Sequence, residues 1–256
     1  MLGRYLEFSV PAPDILESLG FYKSLGFHEL NSRDVWPYRY AVVSDGELCI
    51  GLHDREFAGP ALTFVHHEVA KEARSMTDHR FEFEYLKIDD ESFNELGFVD
   101  HDGHLVTMIE ARTFSKPHDD MRNSLCGHWF ETTLPVRDTL RAGLFWAPLA
   151  PELLRMREEP TTHMRFNAGG MPLGLSESIA LTGPSLCFRC EDREAVWIAL
   201  AKSGFIHKEY PGFEGAFMSI TAPEGTTLYL FAEDFLGELY EVAELDEVPP
   251  AQPQND

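Results

Sequence analysis

Two carboxylates 124 positions apart, Glu7 and Glu131, are the most informative side chains in this 256-residue sequence. Leu6, Phe8 and Val10 alternate with Glu7 and Ser9, the period of a strand, so Glu7 falls on the face opposite the apolar one. A carboxylate away from bulk water is costly unless a cation, a donor or a proton accompanies it. Each Glu is therefore expected to anchor a ligand or act on it as a general base, or else to be satisfied by a neighbouring Tyr, Arg or His or by solvent. Tyr229 shares a strand face with Thr227 and Phe231 and is placed to form an acid/base or ligand-orienting pair with Glu131, or simply to pack. Tyr5 and Trp129, each two residues before a carboxylate, are expected on the same strand face, as walls for a flat or apolar ligand or as aromatic filling.

Metal and nucleophile chemistry find less support. There are eleven histidines, but His66 and His67 are adjacent on a strand and should point apart, and His101 and His104 flank a turn. Cys187 and Cys190 have the spacing of half a zinc site, yet Ser185-Leu-Cys-Phe-Arg-Cys190 reads as a strand, which sends them to opposite faces. Four cysteines do not make a disulfide framework and fit a reducing compartment. No phosphate-binding glycine loop, Gly-x-Ser-x-Gly elbow or His-Glu-x-x-His is present.

The elements that would carry these residues repeat. At an offset of 124, residues 7–25 match at Glu7/Glu131, Pro11/Pro135, Asp14/Asp138, Leu16/Leu140, Phe21/Phe145 and Leu25/Leu149 without a gap. The same offset aligns Gly59-Pro-Ala-Leu-Thr-Phe64 with Gly183-Pro-Ser-Leu-Cys-Phe188, and one-residue and two-residue slips align Gly51 with Gly174 and Asp102-Gly103 with Glu224-Gly225. Two similar halves follow, 4–112 and 127–232, joined by a polar linker at 113–126 and trailed by an appendage at 233–256. In the first half a strand over 6–10 precedes a helix capped by Asp14, with Leu16, Leu19, Phe21 and Tyr22 as its apolar stripe and Gly26 closing it. Strands are predicted at Arg39–Val43 and Glu47–Leu52 around the turn Ser44-Asp-Gly46. The pattern restarts with a strand at Leu62–His66, a helix from about Val69, and strands near Phe81–Leu86, Glu95–Val99 and His104–Ala111. In the second half Asp192 caps a helix over Arg193–Ser203, with Ala195, Val196, Ala199 and Leu200 on one side. A short amphipathic helix is read over Leu236–Leu245.

Four strand-helix-three-strand units, with Phe21-Tyr-Lys-Ser-Leu-Gly-Phe27, Asp45-Gly-Glu-Leu-Cys-Ile-Gly-Leu-His53 and Asp100-His-Asp-Gly-His-Leu-Val106, make the chain resemble the vicinal oxygen chelate superfamily of glyoxalases, extradiol dioxygenases and bleomycin resistance proteins. The resemblance covers about 4–232 and implies an α+β fold: four βαβββ units forming two tandem glyoxalase-like domains of curved mixed sheets with flanking helices. It also implies cup-shaped sites in which enzymes of the family hold a divalent metal at fixed strand positions. Those positions fall here on Glu7 and Glu131, on Gly51 and Gly174, near Ala61 and Ser185, and on Thr107 and Tyr229. One column of four offers a metal ligand, where a catalytic site needs about three.

The resemblance and the residues together point to a metal-independent protein that binds a small organic molecule without a cofactor, with Glu7, Glu131, Tyr229, Trp129, Tyr5 and Thr107 as the ligand-binding set. The alternatives are a divalent-metal-dependent lyase, isomerase or extradiol-type dioxygenase with an atypical ligand set drawn from Glu7, Glu131 or His66, and a non-catalytic interaction protein. Composition narrows the partners: 43 acidic against 21 basic residues give a net charge of −22, which disfavours nucleic acid and anionic membrane surfaces. The segment 233–256 alone carries eight acids and no base and reads as a solubilising tail. Neither a membrane-spanning apolar run nor a signal peptide is evident, so a cytoplasmic location is expected, with homodimerisation left open.

Overall fold

The structure is a computed structural model that describes residues 2–31, 38–89, 93–111, 124–158 and 161–236. The first half runs β1 (Arg4–Pro11), α1 (Ile15–Ser24), β2 (His28–Leu30), β3 (Tyr40–Ser44), β4 (Cys49–His53), then β5 (Ala61–His66), α2 (Val69–Asp78), β6 (Tyr85–Lys87), β7 (Glu95–Val99) and β8 (Leu105–Glu110). The second half repeats it: β9 (His128–Pro135), α3 (Thr139–Trp146), β10 (Glu152–Arg157), β11 (His163–Ala168), β12 (Met171–Ser176), then β13 (Ser185–Cys190), α4 (Arg193–Lys202), β14 (His207–Glu209), β15 (Phe217–Thr221) and β16 (Thr227–Ala232). Each half forms its own 8-stranded sheet, in the orders β2-β3-β4-β1-β5-β8-β7-β6 and β10-β11-β12-β9-β13-β16-β15-β14. The opening strand of every unit lies parallel to its closing strand, and the two units of a half meet through the antiparallel pairs β1–β5 and β9–β13. Both units of a half therefore curve around one cup, and the chain has two cups. None of the described helices is long and apolar enough to cross a membrane.

Local chemistry explains the element ends. Asp14, Asp138 and Asp192 each accept the backbone N–H three residues on, at 3.0 Å, satisfying a donor that the helix start leaves open. Gly26 closes α1 at a φ of 91° that a side chain would resist. The strand before Glu95 is shorter than its sequence pattern, Tyr85–Lys87 in place of Phe81–Leu86, and β2 is an addition to the elements read from sequence. The expected linker lies largely, and the helix expected over Leu236–Leu245 almost wholly, outside the described residues.

One apolar core runs through both halves. The first helix of each half packs on its own sheet and also reaches the other half, which corrects the stripe read for α1: Ile15, Ser18 and Tyr22 are buried, whereas Leu16 is 70% exposed. In α4, likewise, Leu200 is buried while Ala195 is exposed. The Tyr22 hydroxyl donates to Glu224 Oε1 at 2.6 Å and Ser18 to Glu224 Oε2 at 2.7 Å, across to the β15–β16 turn. Reciprocally, Trp146 Nε1 of α3 donates to Asp100 Oδ2 at 3.3 Å, beside the β7–β8 turn. The ring pairs match too, Phe21 on Phe205 with centroids 5.5 Å apart and Phe145 on Phe81 at 5.3 Å.

Candidate functional site

In β1 the side chains of Phe8 and Val10 enter the core with the helices, which leaves Glu7 and Ser9 on the cup face. Glu7 is only 3% exposed, and its carboxylate is held by three side-chain donors. Ser9 Oγ donates to Oε1 at 2.7 Å, His53 Nε2 lies 3.0 Å from the same oxygen, and the Tyr40 hydroxyl donates to Oε2. Because a carboxylate only accepts, the His53 proton on Nε2 points at Glu7; Nδ1 meets the Tyr38 hydroxyl at 3.2 Å. A hydroxyl row then crosses the sheet: Ser9 Oγ to Thr63 Oγ1 at 2.6 Å, and Thr63 Oγ1 to Thr107 Oγ1 at 2.8 Å.

The second half repeats the row with different chemistry. Glu131, 2% exposed, accepts from Thr133 Oγ1 at 2.5 Å and meets His163 Nε2 at 3.1 Å, with Arg165 Nε 3.6 Å away. Burial pushes the Glu131 carboxyl up, but the charges of His163 and Arg165 and the bonds from His163 and Thr133 outweigh it and leave the pKa below the ordinary value. Thr133 Oγ1 contacts Cys187 Sγ at 3.4 Å, and Cys187 pairs across strands with Tyr229. The rows Glu7–Ser9–Thr63–Thr107 and Glu131–Thr133–Cys187–Tyr229 are thus counterparts.

What stands over the rows differs. Above the first, the Arg55 guanidinium lies 5.3 Å from the Tyr38 ring centre and 5.7 Å from that of Phe57, and Tyr85 folds over Gly97, the cross-strand neighbour of Thr107. Burial, with Glu95 adding, pushes the Tyr85 hydroxyl up to about 12, so it stays a donor at neutral pH. A depression of about 330 Å³ lined by Glu29, Leu30, Asn31, Tyr40 and Ala41 adjoins Tyr40. The second cup is filled by its own aromatics. Tyr229 donates to the Ala180 carbonyl at 2.9 Å and accepts from Tyr210 at 3.3 Å, and Tyr210, Phe217, Phe231 and Phe235 stack about it.

The sequence-derived set therefore divides. Glu7 and Thr107 share one row; Glu131 and Tyr229 share the other, with no direct bond between them among the described residues, since Cys187 intervenes. Tyr5 and Trp129 are not cup walls. A β-bulge shifts the register between Tyr5 and Glu7, and another between Trp129 and Glu131, so both aromatics turn into the seam between the halves, where they stack at 6.2 Å. The Tyr5 hydroxyl, raised in pKa by burial, makes no well-formed hydrogen bond among the described residues; Thr132 is the polar group beside it. His66 and His67 stack with centroids 5.0 Å apart instead of pointing apart, because β5 ends at His66.

Sequence reasoning missed Tyr40, His53, Thr63, His163 and Arg165. His53 was legible in principle, two residues beyond Gly51 on the same strand and so on the same face. The fifth-strand member of each row also sits two residues beyond the expected position, at Thr63 and Cys187. Gly51 and Gly174 have a direct explanation: a Cβ on either would lie 2.1 Å from the Oε1 of Glu7 or Glu131. Each carboxylate thus fills the space that a fourth-strand ligand would need.

That geometry bears on the divalent metal the family resemblance implies. Each half sets one carboxylate, already taken up by its donors, beside a glycine and hydroxyl or thiol groups. Among the described residues no three His, Cys, Asp or Glu side chains converge as a metal site. The donor set on these columns does not fit a divalent metal. Burial raises the pKa of all four thiols, Cys49 and Cys190 to about 12, so none is a ready thiolate nucleophile.

No family model and no curated protein matches the chain in sequence. Solved structures do match in fold. A catechol 2,3-dioxygenase aligns with a TM-score of 0.59 at 10% identity, over 90% of this chain and 88% of that one. An extradiol ring-cleaving dioxygenase from B. fuscum aligns with a TM-score of 0.60 at 15% identity, over 90% and 71%. A 2,2',3-trihydroxybiphenyl 1,2-dioxygenase from Sphingomonas wittichii gives 0.56 at 13% identity, over 91% of each chain. With both sheets and all four βαβββ units in hand, this likeness shows that the chain has the fold of these dioxygenases, the architecture that the resemblance to the vicinal oxygen chelate superfamily implied.

Proposed function

We propose that this protein binds a small organic molecule in the cup of its first half, through residues of the chain alone. One observation carries the reading: the first cup keeps a row of buried hydroxyls that ends on Glu7 as acceptor, whereas the matching row in the second cup ends in Tyr229 and is covered by the aromatics around it. A polar row on a concave face, walled by aromatic rings, suits a ligand with a flat apolar body and a few polar groups. Glu7 sets the polarity of the site from below, while the direct ligand contacts fall to the row's far end and to Tyr38, Arg55 and Tyr85. The test is a fragment screen by ligand-observed NMR on the wild type and on Glu7→Gln. Shared hits that weaken at least about fivefold in the variant support the reading. Hits of equal affinity in both proteins, or none at all, count against it.

The fold likeness favours a second reading, and supports it more than it supports the first: a divalent-metal-dependent activity of extradiol type, with ligands other than the expected columns. All three solved structures named above are dioxygenases. Metal analysis of chelator-free protein, before and after incubation with iron, manganese, zinc or nickel and desalting, separates the two. About one metal per chain that survives desalting would put this second reading first.

A further inference from the structure

The hydroxyl row in the first cup has a direction that its hydrogen count fixes. Ser9 has one hydroxyl hydrogen, and it points at the Glu7 carboxylate 2.7 Å away. The 2.6 Å contact between Ser9 and Thr63 must then use the Thr63 hydrogen, and the 2.8 Å contact between Thr63 and Thr107 must use that of Thr107. The chain of donation runs Thr107 to Thr63 to Ser9 to Glu7, and each link polarises the next. Exposure rises along the same path, from 3% at Glu7 through 5% at Ser9 and 6% at Thr63 to 9% at Thr107. At the outer end stands an oxygen whose hydrogen is committed inward and whose remaining lone pairs can only accept. In the second cup the matching end is Tyr229, whose hydrogen leaves the row for the Ala180 carbonyl.

Resting on the binding-site reading above, we infer that Thr107 Oγ1 is an obligate acceptor for the ligand, which therefore presents a hydrogen-bond donor there: a hydroxyl, amine or amide N–H. A ligand offering an ether, ketone or carboxylate oxygen at that point would face oxygen with oxygen. The residue acts as a specificity determinant, choosing between donor and acceptor groups of similar size, and Glu7 acts through it as a positioning residue.

Two measurements test this separately from the site itself. The first is the stability of Thr107→Val and Ser9→Ala by denaturant unfolding. With this direction, Thr107→Val leaves no hydrogen without an acceptor, so its midpoint should move far less than that of Ser9→Ala, which strands the Thr63 hydrogen and removes a donor from Glu7. A larger loss for Thr107→Val would reverse the chain and overturn the inference while leaving a binding cup in place. The second is the affinity of benzyl alcohol and benzyl methyl ether, a matched pair, for the wild type and Thr107→Val. The wild type should prefer the alcohol by about three- to tenfold, the worth of one hydrogen bond, and the variant should bind both alike. A preference that persists in the variant, or is missing in the wild type, defeats the inference alone. If neither probe binds, the site reading fails and the inference falls with it.

Discussion

Replacing Gly51 with alanine adds one methyl group and should be among the most damaging small substitutions in this protein. The new Cβ would stand 2.1 Å from Oε1, 2.4 Å from Cδ and 2.6 Å from Oε2 of Glu7. Contacts that short are not tolerated, and the carboxylate, 3% exposed, has no solvent to retreat into. Moving it sacrifices bonds from Ser9, His53 and Tyr40, each worth about 1.5–3 kcal/mol when the acceptor is charged. Allowing for partial retention, Gly51→Ala should cost about 3–5 kcal/mol, comparable to breaking a buried ion pair. Glu7→Ala should cost a similar amount by stranding the same donors. In the double variant the new methyl enters the space the carboxylate vacated, so the two losses should overlap by about 2–3 kcal/mol. The assay is guanidinium unfolding of the four proteins of the cycle, comparing midpoints at constant slope. Losses that add to within about 0.5 kcal/mol would refute the argument that carboxylate and glycine occupy one another's space.

Other outcomes follow from the same geometry. Gly20→Ala, on an exposed turn of α1 where a Cβ meets nothing within 4 Å, should stabilise the protein by about 0.5–1 kcal/mol through helix propensity, measured in the same unfolding assay. Because the folded-state pKa of Glu131 is depressed, its stabilising contribution is fully present above the unfolded value of about 4.3 and is lost as pH falls through the lower folded value. Urea titrations from about pH 6 down to 3 should accordingly show a shallower acid loss in Glu131→Gln than in the wild type; parallel curves would contradict it. Tyr5→Phe removes a hydroxyl without a well-formed partner, so stability should stay within about 1 kcal/mol and affinity for any first-cup ligand should not change. Tyr229→Phe strips the Ala180 carbonyl of its donor and should cost about 1–2 kcal/mol, read as a shifted unfolding midpoint.

Much of this fold was legible because short-range chemistry and the repeat say the same thing. The three aspartate caps, the alternation around Glu7 and the 124-residue offset all describe contacts made within a few residues or duplicated whole. The partners of the carboxylates were harder to see, since the two halves recruit them from different strands. His53 comes from β4, whereas His163 comes from β11, whose counterpart in the first half is β3, so the offset that aligns Glu7 with Glu131 does not align their histidines. The bulges that turn Tyr5 and Trp129 away from the cups leave no mark in the pattern of residues, because one extra residue in a strand reverses the face without changing the composition. Leu16 misled for another reason: α1 is held both by its own strands and by a surface supplied some two hundred residues later, and an amphipathic stripe does not say which neighbours it will meet.

That late-arriving surface matters while the chain is being made. Tyr22, fully buried in the finished protein, reaches its hydrogen-bond acceptor 202 residues further along, at Glu224. At about 5–20 residues per second, the interval between synthesising the two is roughly 10–40 s. For that time the leading helix can settle on β2, β3 and β4 of its own sheet but lacks the brace that the second half supplies, and the ring of Phe21 waits nearly as long for Phe205. The second half's leading helix has no such delay: the ring it needs, Phe81, and the carboxylate it needs, Asp100, precede it in the chain. One brace of a nearly symmetric pair can thus lock as its helix emerges, while the other must wait until translation is almost over.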